Sequence, residues 1–210
     1  LPRAFSSGNH LEEVQGIYVP FWLFDAGAEA DCRFHATRSH THTDGDYRVT
    51  VTEHFDVRRS GTMEFERIPV DGSKKMPDDY MDSIEPFDYA GLKSFSTAYL
   101  PGYLADKYDV SADECSKRAD ERAVNTAVSL MAESVMGYTT CVEENKNVSV
   151  RRGKVSYALM PVWMLSTKWN GKNYLFAMNG QTGKMVGDLP VSKGKFWAWF
   201  GGIAVSLSAI

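Results

Sequence analysis

The chain has 210 residues, with 23 Lys and Arg against 27 Asp and Glu and a formal net charge of −4. At about 150 residues per domain, that length holds one large domain or two small ones. A hydrophobic share of 43% and a charged share of 24% exclude intrinsic disorder, a collagen-like repeat and a disulfide-stapled miniprotein. The acidic balance gives no global basic field to draw in nucleic acid, so no direct nucleic-acid partner is expected.

The first apolar run, Ile17 to Phe24 (IYVPFWLF), reads as a buried strand with Pro20 at an edge or bulge. Asp44-Gly45 is a turn signal. After it, Tyr47 to Val57 alternates, with Tyr47, Val49, Val51, Phe55 and Val57 on one side, which predicts a half-buried antiparallel strand. Ser60-Gly61 then predicts a turn into a hairpin partner over Thr62–Val70. From Pro77 to Asp109 the chain is rich in tyrosine and phenylalanine and broken by prolines, which predicts short helical turns and ordered loop.

The clearest helix is expected over 111–136. Ser111 and Glu114 form an S-x-x-E capping box, Cys115, Ala119, Ala123, Ala127, Leu130, Met131 and Val135 make one apolar stripe, and Gly137 supplies the stop. Strands follow. Val148–Val150 leads to Arg152-Gly153, and Val155–Leu165 is expected to be buried on both faces. Asn170-Gly171 predicts a type I′ hairpin turn, and Asn179-Gly180 with Gly183 a further turn into Met185–Leu189. Tyr18-Val-Pro20-Phe-Trp22 recurs loosely as Tyr157-Ala-Leu-Met-Pro161-Val-Trp163, either as two related β-meanders or by chance in an aromatic-rich chain. The fold class is therefore α+β: antiparallel β-meanders with one long helix. The organisation along the chain is 1–70, 71–137, 138–192 and a terminal segment 193–210.

Few residues carry chemistry. Cys32, Cys115 and Cys141 are odd in number and widely spaced, which fits buried reduced thiols. His35, His40, His42 and Asp44 lie close in sequence and form the one candidate metal cluster, although their spacing matches no established zinc site and also fits a solvated hairpin loop. Gly180-Gln-Thr-Gly183-Lys184 fails as a phosphate loop in both glycine spacing and the residue after the lysine, and reads as a β-turn. The aromatics Tyr18, Trp22, Tyr99, Tyr103 and Trp163 are the candidate ligand-binding residues, with core packing as the competing reading. Phe196 to Ile210 has no charged residue; Lys193 and Lys195 precede it, and Phe196, Trp197, Trp199 and Phe200 open it. Basic residues followed by an aromatic belt predict the cytoplasmic entry of a membrane helix cut short, with a core helix or an interfacial anchor as alternatives.

Three segments carry a resemblance: IYVPFWLFD (Ile17–Asp25), FSTAYLPGYLADKYDV (Phe95–Val110) and YALMPVWML with NGKNYLFAMNGQTGKMVGDLPVSK (within Tyr157–Lys193). Together with the opening Leu1-Pro-Arg-Ala-Phe, the chain resembles a bacterial family, common in Firmicutes, that bears a transcription-factor-B-type zinc ribbon and one or more membrane segments. Its members are often labelled primosomal helicase-like. The resemblance implies a cytoplasmic domain between a zinc ribbon and a membrane helix. It implies zinc only in that ribbon, because this sequence has no Cys-x-x-Cys. It brings no catalytic residues. The resulting expectation is a non-enzymatic, membrane-tethered binding or scaffold domain that engages a protein or small ligand. A metal-dependent hydrolase using the histidine cluster and a nucleic-acid accessory factor acting through the ribbon are the alternatives.

Overall fold

The structure is a computed structural model that describes residues 11–189, 194 and 196–200. Its elements in order are β1 (Leu11–Asp44), β2 (Tyr47–Asp71), α1 (Asp78–Ser83), two 3-10 turns (Tyr89–Gly91 and Thr97–Tyr99), β3 (Leu104–Ala105), α2 (Ala112–Glu133), β4 (Thr140–Trp169), β5 (Lys172–Asn179) and β6 (Met185–Gly187). The sheet order is β2-β1-β4-β5-β6, with β3 added parallel to β1. The α+β class with antiparallel meanders is what the sequence predicts.

The chain divides into two compact units, and they are not the consecutive blocks 1–70, 71–137 and 138–192. The hairpin unit is Pro20–Ser73 with Tyr108–Ala158, and the meander unit is Leu1–Val19, Lys74–Lys107 and Leu159–Ile210. The reason is strand length. Each of β1 and β4 runs through both units, so a boundary falls inside a strand, where composition does not change.

In the hairpin unit, β1 and β2 pair antiparallel from Phe21↔Asp71 to Asp44↔Tyr47 around a two-residue turn in which Gly45 has φ 59°. The predicted turn at Ser60-Gly61 is absent, and Gly61 instead pairs with Ala30 in the middle of β2. Its missing side chain has another use, since a Cβ there would come within 3.3 Å of Met131 Cε on α2. A bulge interrupts the register between Phe24 and Ala26. Arg67 sits there in the left-handed region with φ 58°, and its N–H donates to Asp25 Oδ1 at 2.9 Å. The extra residue in β2 switches the parity of its inward side chains. Phe55, Val57, Met63 and Phe65 lie on one side of the bulge and Ile68 and Val70 on the other, yet all line the helix-facing surface.

That surface is small. Ala28, Ala30 and Ala36 of β1 are buried, with Cys32 and Phe34, against Ala127, Val128 and Met131 of α2. Beside them Phe24 and Val70 pack against Cys115 and Ala119. Small side chains on both elements let the helix backbone approach the sheet closely. The helix starts as predicted: Ser111 Oγ accepts from Glu114 N and the Glu114 carboxylate accepts from Ser111 N at 2.8 Å. Its stripe is rotated slightly from the prediction, with Val128 buried and Leu130 exposed. Burial of β2 also stops short. Val57 is buried, whereas Val51 and Tyr47 are exposed, Tyr47 at 77%. The period-two pattern therefore gives the right phase but outlasts the helix that covers it.

In the meander unit, β4 and β5 pair from Val162↔Asn179 to Trp169↔Lys172 about an Asn170-Gly171 turn with φ 49° and 74°, and β6 adds to β5. Met160, Val162, Met164 and Ala177 are buried, as are Tyr80, Met81, Ile84 and Phe87 of the α1 segment. Only one face of β4 is buried here, against the expectation of two: Pro161, Trp163 and Leu165 are half-exposed, and Val155, in the hairpin-unit part of the strand, is exposed. Asn179 ties this unit together. Fully buried, it donates from Nδ2 to the Ile84 and Pro86 carbonyls at 3.0 Å each and accepts at Oδ1 from the N–H groups of Gln181 (2.8 Å) and Thr182 (3.0 Å). The loop Gly180–Lys184 is thus a β-turn, and Lys184 Nζ donates to the Glu85 carbonyl at 2.6 Å.

Candidate functional site

Tyr18, Tyr103 and Trp163 meet in the meander unit. The Tyr18 and Tyr103 rings lie 4.8 Å apart between centroids, and Tyr103 and Trp163 5.3 Å. Sequence and backbone explain the assembly. Tyr103 precedes β3, whose register Ile17↔Leu104 and Tyr18↔Ala105 sets it beside β1. The Tyr103 N–H donates to the Leu100 carbonyl at 2.9 Å, and Asp106 N–H donates to Tyr18 O at 3.1 Å. Gly16 is the floor: a Cβ there would stand 2.8 Å from two atoms of the Tyr103 ring, so only glycine lets the ring lie on the strand. All three side chains are half-exposed, and together they form an aromatic ledge on this unit. Trp163 pairs in register with Met178, which is also half-exposed.

The other two predicted aromatics do not join the ledge. Trp22 belongs to the hairpin unit, with Tyr108 at 5.0 Å and Tyr157 at 5.1 Å. Its indole N–H donates to the Val110 carbonyl at 3.0 Å, and it packs against the Phe24–Cys115 cluster. That is a structural role. Tyr99 is exposed in its 3-10 turn and is joined to neither group among the described residues.

The predicted metal cluster is split by the pleat. His35 is on the face of β1 turned away from α2, whereas His40 and His42 have the opposite parity and, like Asp44, lie exposed beyond the helix-covered stretch. The His40 and His42 rings stack 6.4 Å apart. His35 turns instead to β2: its Nε2 is 3.0 Å from His54 Nδ1, one ring donating and the other accepting, and Glu144 Oε1 is 3.9 Å from its Nδ1. Among the described residues no three His, Cys, Asp or Glu side chains gather as a metal site. The register His35↔Asp56 and Thr37↔His54, invisible before β1 and β2 are paired, is what finds His54.

The same face of the hairpin unit is polar. Glu29, Asp31, Ser60, Thr62, Asn147 and Ser149 line an open depression of about 580 Å³. Arg58 binds the Asp31 carboxylate through two nitrogens and holds its pKa below the usual carboxylate range. On the helix-facing side, burial pushes the Cys32 thiol above its ordinary pKa, which suits an inert core cysteine; Cys115 is buried as well and Cys141 is exposed.

Residues 196–200 are helical, and every large side chain of that stretch is in solvent: Phe196 55%, Trp197 64%, Trp199 73% and Phe200 57% exposed. Lys193 and Lys195 lie outside the described residues, as do residues 201–210. Among the described residues no helix is long and apolar enough to cross a membrane.

Comparison with curated proteins finds the uncharacterized protein YdjG of Bacillus subtilis (strain 168), 43% identical over 203 residues. The alignment covers 97% of this chain and 60% of that protein, so the chain spans less than two thirds of the relative's length. No family model matches the chain. No solved structure matches it either.

Proposed function

We propose that this chain is a non-enzymatic binding domain held at a membrane surface on the cytoplasmic side, with the aromatic ledge Tyr18–Tyr103–Trp163 as its ligand face. The observation that carries the reading is the run Phe196, Trp197, Trp199 and Phe200, all more than half exposed. Phenylalanine and tryptophan grouped in this way are higher in free energy in water than at the headgroup–acyl boundary, where indole has both an apolar body and a polar N–H to place. Lys193 and Lys195 immediately before them supply the charge that anionic lipid attracts and that favours the cytoplasmic leaflet. The ledge supports the binding half of the reading, since adjoining half-exposed rings present apolar area at low entropic cost.

Vesicle flotation tests it. The 210-residue chain mixed with phosphatidylcholine–phosphatidylglycerol vesicles is expected to float with the lipid, with its indole emission quenched by brominated acyl chains. A variant with Phe196, Trp197, Trp199 and Phe200 all changed to Ser is expected to keep its circular dichroism and stay in the aqueous fraction. Equal flotation of the two proteins, or none by either, rejects the membrane reading.

A further inference from the structure

In the hairpin unit the sheet order ends at β4. Strand β1 lies on one side of residues 140–158, and β5 joins β4 only from Val162 to Trp169. Among the described residues, therefore, no strand takes up the outer edge of 140–158. A long edge with unpaired backbone N–H and C=O groups templates pairing with another strand. Its side chains decide which strand fits.

The charges along this edge are unevenly placed. Both acidic residues, Glu143 and Glu144, stand toward its start, and Arg151, Arg152 and Lys154 toward its end; Lys146 lies between the two groups, 3.3 Å from Glu143, and Glu143, Glu144, Arg151 and Arg152 are all exposed. Glu144 shares the polar face with Asn147, Ser149 and Arg151, so the alternation slips by one residue between 144 and 147. With that slip, a two-fold axis at Val148 lays the strand antiparallel on a second copy with Glu143 opposite Arg152 and Glu144 opposite Arg151, and repeats both pairs across the axis. A parallel arrangement in register sets like charges against like. Opposite charges directly across a ladder stabilise it and like charges oppose it. The faces agree as well. Glu144 stands 3.9 Å from His35 and Arg151 3.2 Å from Glu64, both on the polar face, while Arg152 pairs with Asp120 of α2 on the helix-bearing face. A two-fold axis normal to the sheet keeps polar face with polar face, so Glu144 and Arg151 of two copies meet on the same side. An isologous contact of this kind needs one self-complementary patch, and this strand is one.

We infer that the outer edge of β4, residues 140–158, is a homodimer interface in which two copies pair antiparallel through Glu143–Glu144 and Arg151–Arg152.

The test is a charge-reversal pair read by sedimentation velocity on the 210-residue chain, in dodecyl maltoside so that the exposed aromatics of 196–200 are occupied. The unaltered chain is expected to dimerise. E143R/E144R and R151E/R152E each place like charges across the ladder, and each is expected to raise the dissociation constant at least about tenfold. An equimolar mixture of the two is expected to restore a one-to-one dimer, which neither does alone. Amide hydrogen exchange gives a reading that needs no variant: residues 143–152 are expected to exchange more slowly as protein concentration rises. A chain that stays monomeric at about 100 μM overturns the inference. So does a dimer that survives either reversal, a mixture of two folded variants that fails to associate, or a dimer whose 143–152 amides exchange as in the monomer.

Discussion

The two units cover one face of a sheet by opposite means. The hairpin unit seats a long helix on a surface in which alanines alternate with larger side chains, with Ala28, Ala30 and Ala36 beside Phe34 beneath and Ala119, Ala123 and Ala127 beside Met131 above. The meander unit buries methionines, Phe87 and Tyr80, and centres its loop on a polar residue, Asn179, whose amide is fully bonded. The first arrangement tolerates no added volume. The second tolerates no lost hydrogen bond.

Three substitutions sharpen or break this contrast. The largest effect is expected from Asn179→Ala, which strands the Ile84 and Pro86 carbonyls and frees the 180–184 turn. We expect a loss of about 2–4 kcal/mol in chemical denaturation, with faster amide exchange over residues 84–88 and 179–184. Unchanged exchange there means that the side chain does not organise the unit. Next is Ala123→Leu in the middle of the helix seat. Overpacking at a closely approached surface is expected to cost about 1–3 kcal/mol and to loosen α2 in preference to β5. A neutral result removes the distinction between the two cores. The smallest is Ser111→Ala, which removes the hydroxyl of the capping box and is expected to cost about 1 kcal/mol. Its exchange signature belongs in the first turn of α2, at residues 112–115, and an effect spread evenly over both units argues against a local cap.

What the sequence made legible follows from which interactions are local. The capping box at Ser111, the Gly45 and Asn170-Gly171 turns and the strand phase of Tyr47–Val57 all depend on residues within one turn or one strand, and each stands where it was expected. Ser60-Gly61 misled because a glycine can serve either a turn or a close approach, and only the arrival of Met131 selects between them. The bulge at Arg67 was hidden for a related reason: it shows as a change in parity, which alternation alone cannot distinguish from noise. The candidate site was partly legible. Tyr18, Tyr103 and Trp163 do meet, but through a parallel pairing of β3 with β1 that local sequence does not encode. The histidines show why proximity in sequence is not enough: the pleat sends His35 to one face and His40 and His42 to the other, and His40, His42 and Asp44 lie exposed at the hairpin end, as a solvated hairpin loop has them. His54 and Glu144 reach His35 from other strands.

The interleaving of the two units also sets an order of events during synthesis. A ribosome delivers Ala158, the last residue of the hairpin unit, before any of the segment from Leu159 that supplies the meander unit with the rest of β4, β5 and β6. The nascent chain therefore holds every residue of the first unit while the start of β1 and the α1 segment still wait for their final strands. Tyr18 and Tyr103 emerge long before Trp163, so the aromatic ledge can be completed only after every residue of the hairpin unit has been delivered, and until then those two rings face whatever surrounds the translating polypeptide.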